Sequence, residues 1–336
     1  MKPTDFARAL STYLSMYLPG QKNVSPHTVH SYRDTFKLLL AYCQQVRGLV
    51  IERLSLRDID DQLVLGFLEW LETDRHNSLA TRNQRLACIH AFYRYLQGQD
   101  PAGLWPYQKI LTLPMKKTPH PMIQHLTADA MQTILAQPDR ETRNGRRDAT
   151  LLSVLYDTGA RVQELVDLQV RDVRLTPPPV LTLTGKGNKT RQVPLMSATT
   201  ALLQQYLAEW QLARNGGQDG PVFFNRQRRK MTRAGVAFIL SKYVAQAREV
   251  SAGIPERVTP HVLRHTKAMH LLQAGVNLVY IRDLLGHVDI ATTEIYARAD
   301  TELKRQALEQ AYPTMISDEL PDWTSDNALL TWLAQL

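Results

Sequence analysis

The chain has 336 residues, and its 40 lysines and arginines outnumber its 32 aspartates and glutamates, which gives a formal charge of +8 at pH 7. This length predicts about two domains, and the basic balance favours a polyanionic partner such as nucleic acid. Cys43 and Cys88 are too few for a disulfide framework and are not spaced as zinc ligands, so a reducing compartment, no metal and no cofactor are expected. No secretory leader or membrane span is recognisable, which predicts a soluble, cytoplasmic protein.

Residues 1–110 are predicted to form a helical domain, because apolar residues recur there at helical spacing and no alternation is long enough for a sheet. Ser25, which precedes a proline, and Ser78 are typical N-caps of two of these helices. The helix after Ser78 also carries Arg82 and Arg85. These arginines form either a solvated face or a basic face that contacts a phosphate backbone.

Residues 111–125 are predicted to be an interdomain linker, because three prolines fall within eight residues and no helical period continues. Lys116 and Lys117 add positive charge, so this linker could lie along DNA. Beyond it, residues 126–316 are predicted to form a mixed α/β domain.

An arginine and a hairpin follow in the second domain. Arg161 opens an amphipathic helix, and Glu164 lies three residues later on the same face. This is either an ordinary surface ion pair or a carboxylate that holds the guanidinium toward a phosphate. Two short strands around a Gly/Asn turn then predict a β-hairpin with a basic tip, which carries Lys186, Lys189 and Arg191. The spacing of a nucleotide-binding P-loop is absent, which argues against nucleotide hydrolysis.

A basic loop leads into a helix that Thr232 is predicted to cap, and this region offers either a solvated surface or phosphate contacts. Its candidate DNA-binding residues are Arg228, Arg229, Lys230, Arg233 and Lys242.

Two further motifs carry histidines. His261 and His265 flank Arg264 within about one helical turn, and the arginine argues against a divalent cation there. His287 follows a glycine that is typical of a helix C-cap, and Tyr296 lies nine residues later on a second short helix.

Together these residues resemble the tyrosine recombinase, or phage integrase, family over essentially the whole chain. The resemblance rests on Arg161 in Thr-Gly-Ala-Arg, Lys186 in Gly-Lys-Gly-Asn-Lys, His261-x-x-Arg264-His265, Leu-Gly-His287 and Tyr296, in that order. It implies a mainly α fold with a small β-sheet or hairpin. A helical, SAM-like core-binding domain would precede an α/β catalytic domain.

The resemblance also implies a role for each residue of the set. Arg161, Arg264 and His287 would grip the scissile phosphate, and Tyr296 would be the nucleophile. His261 would be the base and Lys186 the acid, with Glu164 and His265 in support. Such a site needs neither metal nor ATP, because guanidiniums meet the developing charge and a covalent 3′-phosphotyrosine conserves the bond energy.

The expected partner is double-stranded DNA with inverted half-sites, bound by a homodimer and joined in a homotetramer through a Holliday junction, with an accessory or sister recombinase as a further possibility. The alternatives are a type IB topoisomerase or telomere resolvase, which acts on one duplex, and an inactive DNA-binding protein. Residues 317–336 are predicted to end in a helix with an apolar stripe, which docks either on its own domain or on a neighbouring protomer.

Overall fold

The computed structural model describes residues 2–100, 103–118, 123–211, 217–299, 305 and 331–335. Its contacts divide the chain into two units, Met1–Pro121 and Met122–Leu336. This division falls inside the stretch predicted as a linker. Most of the predicted tail helix over 317–336 lies outside the described residues.

The first unit is helical, as predicted. A π-helical stretch, Tyr13–Gln21, follows its first helix directly. The helices are α1 (Asp5–Thr12), α2 (Pro26–Gln45), α3 (Asp61–Thr73), α4 (Leu79–Gln97) and α5 (Leu104–Leu111). The hydroxyls of Ser25 and Ser78 accept hydrogen bonds from the amides three residues on, so both predicted N-caps are confirmed.

The side chains of the two arginines on α4 point into the first unit. The Arg82 side chain is buried, and its Nη1 donates to the carbonyl of Pro114 at 3.2 Å. Arg85 is half-buried, and its Nη1 donates to the carbonyl of Ser31 on α2 at 3.2 Å. The prediction that these residues form an exposed basic face is therefore wrong. They join α4 to its neighbours because their donors find carbonyls there.

The start of the linker packs against the same unit. The Lys116 ammonium lies 2.8 Å from Oε1 of Glu72, and its backbone amide donates to Asn83. Glu72 therefore offsets part of the charge that Lys116 would bring to DNA, whereas Lys117 is exposed.

The second unit combines helices with one small sheet. Its helices are α6 (Ala128–Ala136), α7 (Arg143–Thr158), α8 (Val162–Asp167), α9 (Ser197–Glu209), α10 (Arg233–Val250), α11 (Pro260–Gln273), α12 (Leu278–Leu285) and α13 (Ala291–Ala299). Its antiparallel strands are β1 (Val173–Arg174), β2 (Val180–Thr184) and β3 (Thr190–Pro194), in the order β1-β2-β3. The predicted fold class is thus confirmed.

The predicted hairpin is present between β2 and β3, and Thr184 pairs with Thr190 at its closed end. Leu181 and Leu183 alternate inward and are fully buried, which fixes the register of β2 on the core. Gly187 (φ +75°) and Asn188 (φ +59°) form the turn, and both residue types tolerate this left-handed backbone.

Local caps set where the helices of this unit begin and end. The Thr232 hydroxyl accepts from the amide of Gly235 and starts α10, as predicted. Gly286 ends α12 with a φ of +63°, which confirms the predicted glycine cap. None of the described helices is long and apolar enough to cross a membrane.

Candidate active site

Three arginines from separate elements donate hydrogen bonds to three consecutive carbonyls at the end of α12. The pairs are Arg191 Nε with the oxygen of Leu284 at 2.7 Å, Arg264 Nη2 with that of Leu285 at 2.6 Å, and Arg161 Nη2 with that of Gly286 at 3.3 Å. The last carbonyls of a helix lack partners within the helix and carry the negative end of its dipole. The guanidiniums are therefore drawn together immediately before His287.

Glu164 is the counter-charge of this arginine cluster. Its carboxylate accepts from Nη1 of Arg161 at 2.8 Å, and from Nη1 and Nη2 of Arg191 at 3.0 and 2.8 Å. Burial alone would raise the pKa of Glu164, but hydrogen bonds and charge from Arg191, with further bonds from Arg161, hold this pKa below its ordinary value. Because the Glu164 carboxylate is buried, the Arg161–Glu164 pair is not an ordinary surface ion pair. The Arg161 side chain itself remains 38% exposed.

Arg191 is built into the site, although the sequence suggested a DNA contact. Its side chain is only 12% exposed, and its donors reach Glu164 and the end of α12. It also lies against Gly286, where an added Cβ would sit 3.0 Å from its Cδ. The left-handed backbone at Gly286 favours glycine, and any larger residue there would also have to displace the Arg191 side chain. The predicted contact between Arg191 and the DNA backbone is therefore corrected to a contact inside the protein.

Arg264 is almost fully buried on α11. Its Nη1 donates to the carbonyl of Gly159 at 2.7 Å, so it joins the end of α7 to the end of α12. Burial, followed by the charge of Arg161, lowers the pKa of Arg264 to about 10. The guanidinium therefore remains charged at neutral pH.

His287 and Tyr296 lie beside this cluster. Their rings are nearly parallel, with centroids 6.4 Å apart. Nδ1 of His287 lies 2.8 Å from the hydroxyl of Thr293, a buried residue on α13 that the sequence did not mark as part of the site. Tyr296 is 1% exposed, and its hydroxyl lies 2.9 Å from Nδ1 of His265.

His261, the residue predicted as the base, is exposed one turn before His265 on α11. Its ring contacts that of His265, with centroids 4.3 Å apart. The structure thus brings the predicted histidines together, with His265 as the one that reaches Tyr296.

The histidines of the site are neutral at pH 7. Burial, followed by the charge of Arg264, lowers the pKa of His287 to about 4. Burial, followed by the charge of His261, lowers the pKa of His265 to about 4. Burial raises the pKa of Tyr296, although Arg264 and Arg161 oppose it. The positive charge that faces a ligand therefore comes from the arginines.

Lys186 lies at the first position of the hairpin turn, and its side chain is outside the described residues. The preceding Gly185 touches the arginine cluster: an added Cβ there would lie 2.9 Å from Oε1 of Glu164 and 3.6 Å from Nη1 of Arg161. The backbone of the turn therefore begins beside the cluster. An open cavity of about 610 Å³ lies between the hairpin and α12, lined by Arg161, Lys189, Arg191 and His287 among others.

The basic loop before α10 is exposed, but two of its cations contact other residues of the same unit. Arg228 lies over the rings of Trp210 and Phe224, with its Cζ 5.4 and 5.8 Å from their centroids. Lys230 forms an ion pair with Asp167. Three further residues that were predicted to bind DNA are exposed in this region: Arg229, Arg233 and Lys242.

The buried ion pair predicts a stability effect that an exposed pair lacks. Arg191→Met leaves Glu164 with Arg161 alone, and we expect the second unit to lose about 3 kcal/mol of unfolding free energy. The matched control is Arg171→Met, because the Arg171–Asp219 pair is largely exposed, and it should cost less than about 1 kcal/mol. Denaturant-dependent hydrogen exchange of amides 126–299 measures both. Equal losses would contradict the structural role of Arg191.

Two family models match the chain. The model described as the phage integrase family matches residues 124–302, and the model described as the phage integrase N-terminal SAM-like domain matches residues 11–99. Among curated relatives, y4rC of Sinorhizobium fredii, an integrase/recombinase by its name, is 35% identical over 336 residues, 100% of this chain and 99% of the relative. The tyrosine recombinase XerC of Pelobacter propionicus is 32% identical over 299 residues, 89% of this chain and 93% of the relative.

Solved structures share the fold. The XerH site-specific recombinase, bound to palindromic difH substrate in a post-cleavage complex, has a TM-score of 0.68 and 21% identity, over 87% of this chain and 82% of that chain. The Tn1549 transposon integrase, in complex with transposon right end DNA, has a TM-score of 0.70 and 15% identity, over 90% of this chain and 98% of that chain. At these identities the likeness concerns the fold alone.

Proposed function

Because the chain belongs to the phage integrase family and is a tyrosine recombinase, we propose that it cuts and rejoins DNA at specific sites through a covalent 3′-phosphotyrosine formed on Tyr296. The observation that carries this proposal is the convergence of Arg161, Arg264, His287 and Tyr296 at the end of α12. These are the groups that phosphoryl transfer to a hydroxyl nucleophile requires.

The arginines match the charge that develops in the reaction. Attack on a phosphodiester places negative charge on the nonbridging oxygens, and fixed guanidiniums stabilise this charge. Glu164 and the carbonyls of α12 hold the guanidiniums before DNA arrives, so little reorganisation is left for the reaction itself. Arg161, which keeps part of its side chain exposed, is the first of them that a phosphate would meet.

The nucleophile must become accessible when DNA binds. A phosphate cannot contact a hydroxyl whose residue is 1% exposed, so α13 or its neighbours have to shift. The departing 5′ oxygen needs a proton, and we assign this role to Lys186, because its turn begins beside Glu164 and Arg161. The remaining exposed cations, among them Lys117, Lys189, Arg229 and Arg233, suit phosphates outside the reacting centre.

The assembly we propose is a dimer on inverted half-sites and a tetramer that joins two sites through a Holliday junction. The setting is a mobile element, with resolution of DNA multimers as the alternative and with an accessory or sister recombinase in either case. The full-length likeness to an integrase/recombinase supports the first setting, and the likeness to XerC supports the second.

The direct test is capture of the covalent adduct. Duplexes are selected from a randomised pool by binding to the full chain, and the selected sequence is rebuilt as a nicked suicide substrate. We expect an adduct that survives detergent and heat, forms with chelator and without ATP, and maps to Tyr296. Binding without any adduct would reject the proposal. Relaxation of supercoiled plasmids that lack the selected sequence would identify a topoisomerase instead.

A deletion tests the assembly. Removing residues 323–336 takes away the apolar stripe of Leu329, Trp332, Leu333 and Leu336, and we expect single-site binding to persist while two-duplex complexes disappear. A paired variant, Leu329→Asp with Leu333→Asp, breaks the stripe without shortening the chain and should have the same effect. Normal two-duplex assembly by the truncated chain would reject docking of this segment in trans.

A further inference from the structure

We infer that a cleft in the first unit binds an unpaired nucleotide of a DNA strand, with the base against tyrosine rings and the phosphate beside two cations. The cleft has a volume of about 360 Å³, and most of its lining comes from Tyr13, Tyr17, Lys22, Tyr32, Arg94 and Tyr95. The inference rests on the proposed function, because strand exchange is the step that leaves bases unpaired.

The aromatic lining forms where the first helix changes its winding. α1 passes directly into the π-helical stretch Tyr13–Gln21, a rare form of helix that is frequent at functional sites. Within this stretch the ring of Tyr17 stacks on the buried ring of Tyr13, with centroids 5.6 Å apart and planes 22° apart. Tyr95 of α4 completes the group, with its ring centroid 4.5 Å from that of Tyr17. The rings are therefore held against one another before a ligand arrives.

Two cations at the cleft lack a counter-ion. Lys22 and Arg94 are both exposed, and neither forms an ion pair within the part of the chain that the structure describes. None of the described residues that line the cleft is acidic. The amide of Lys22 donates to the carbonyl of Tyr17 at 3.0 Å, and its ammonium lies 6.0 Å from the centroid of the Tyr17 ring. An anion in the cleft therefore meets two uncompensated positive charges.

The shape of the cleft favours an unpaired base over a duplex. Each base inside a duplex is stacked on both faces and paired along its edge, so its face cannot lie on a tyrosine ring. The volume of the cleft lies near the lower end of the range for small-ligand sites, about 300–1,000 Å³, which suits one nucleotide. Every base has a π-face, so stacking holds a strand whatever its sequence. The cleft therefore suits a strand that is displaced after cleavage.

A protein segment is the other class of occupant that a tyrosine-lined cleft takes. Proline-rich segments dock in aromatic grooves through apolar contacts. The two cations favour the nucleotide, because a phosphate meets their charge, whereas a proline-rich segment leaves the ammonium and the guanidinium without an anion. Rings beside cations are also the arrangement by which proteins bind single strands without sequence preference.

The experiment titrates fluorescent DNA with the full chain. The single-stranded probe is a thymidine oligonucleotide of about 12 nucleotides, and the paired probe is the blunt duplex selected from the randomised pool. Tyr95→Leu removes a ring face and keeps an apolar side chain, so we expect single-strand binding to weaken by about tenfold and duplex binding to stay unchanged. Abasic sites in the oligonucleotide should cost the unsubstituted chain the same factor, and Tyr95→Leu should then cost nothing more.

Arg94→Gln tests the phosphate contact. We expect it to weaken single-strand binding by about threefold at low salt and to make the slope of log binding constant against log salt concentration shallower by about 0.7, which corresponds to one lost contact. The matched control is Arg75→Gln, because Arg75 is also exposed and its Cζ lies 5.5 Å from the centroid of the Trp70 ring, outside the cleft. It removes the same charge and should leave the slope unchanged.

An equal loss of single-strand and duplex binding in Tyr95→Leu would overturn the inference, because the cleft would then serve paired DNA or the fold of the unit. A loss that persists on the abasic oligonucleotide excludes stacking. Unchanged single-strand binding together with fewer two-duplex complexes would make the cleft a protein contact. If Tyr95→Leu does not fold, Arg94→Gln decides, since an unchanged salt slope rejects the phosphate contact.

The proposed function is judged by a different measurement. A chain that binds the oligonucleotide through the cleft but forms no adduct on the suicide substrate rejects the proposed reaction and keeps the cleft as a single-strand site. A chain that forms the adduct, while Tyr95→Leu and Arg94→Gln bind the oligonucleotide normally, rejects only this inference.

Discussion

Tyr296→Phe should abolish the covalent protein–DNA adduct and leave binding to a single site intact. The substitution removes only the hydroxyl, and the ring keeps its place among Ala268, Met269, Ile281 and Leu285. Its cost to folding is the loss of one hydrogen bond to His265, about 1 kcal/mol, which a folded unit tolerates. Its cost to the reaction is the whole nucleophile.

The control for this variant is Tyr280→Phe. Tyr280 lies on α12, the helix whose end binds the arginines, but it is 71% exposed. The adduct yield of Tyr280→Phe should therefore match that of the unsubstituted chain. The measurement is the detergent-stable adduct on the suicide substrate, beside a binding titration on the intact duplex. An adduct that persists in Tyr296→Phe would show that another residue attacks the phosphate.

The helix ends and the hairpin were predictable because each depends on residues that are neighbours in the sequence. Gly286 ends α12, and Thr232 begins α10, because a cap depends on a few neighbouring residues. The hairpin was recognisable from two alternating strands around Gly187 and Asn188 for the same reason.

What the sequence could not supply is which partner each side chain meets across the fold. Arg191 and Lys189 sit two residues apart on one hairpin, yet only Arg191 finds a buried carboxylate and a helix end. Arg82 likewise meets the carbonyl of Pro114, 32 residues away in the chain. Such contacts depend on tertiary packing, so residue type and spacing alone suggested exposed cations for all three.

The pair His261 and His265 shows the same limit at closer range. Residues four apart share one face of a helix, so spacing allows either of them to serve the tyrosine. Only the packing of α13 against α11 decides that His265 faces Tyr296. Thr293 is comparable, because its contact with His287 cannot be recognised from its place in the sequence.

The structure reduces the number of hairpin residues that can serve as the general acid. Arg191 donates through Nε, Nη1 and Nη2 to partners inside the protein, and a guanidinium does not release a proton near neutral pH. Lys189 is exposed beyond the turn. Lys186 remains as the lysine whose backbone directly follows Gly185, and Gly185 touches the arginine cluster.

A substrate with sulfur at the bridging 5′ position isolates this role, because a thiolate leaves without needing a proton. We expect Lys186→Ala to be slowed by about 10²-fold or more on ordinary DNA and to recover most of its rate on the sulfur substrate. Arg161→Ala should be equally slow on both, since the charge on the nonbridging oxygens is unchanged. Lys189→Ala is the matched lysine control and should lose binding more than rate. Recovery by Lys189→Ala or His261→Ala in place of Lys186→Ala would move the acid to that residue.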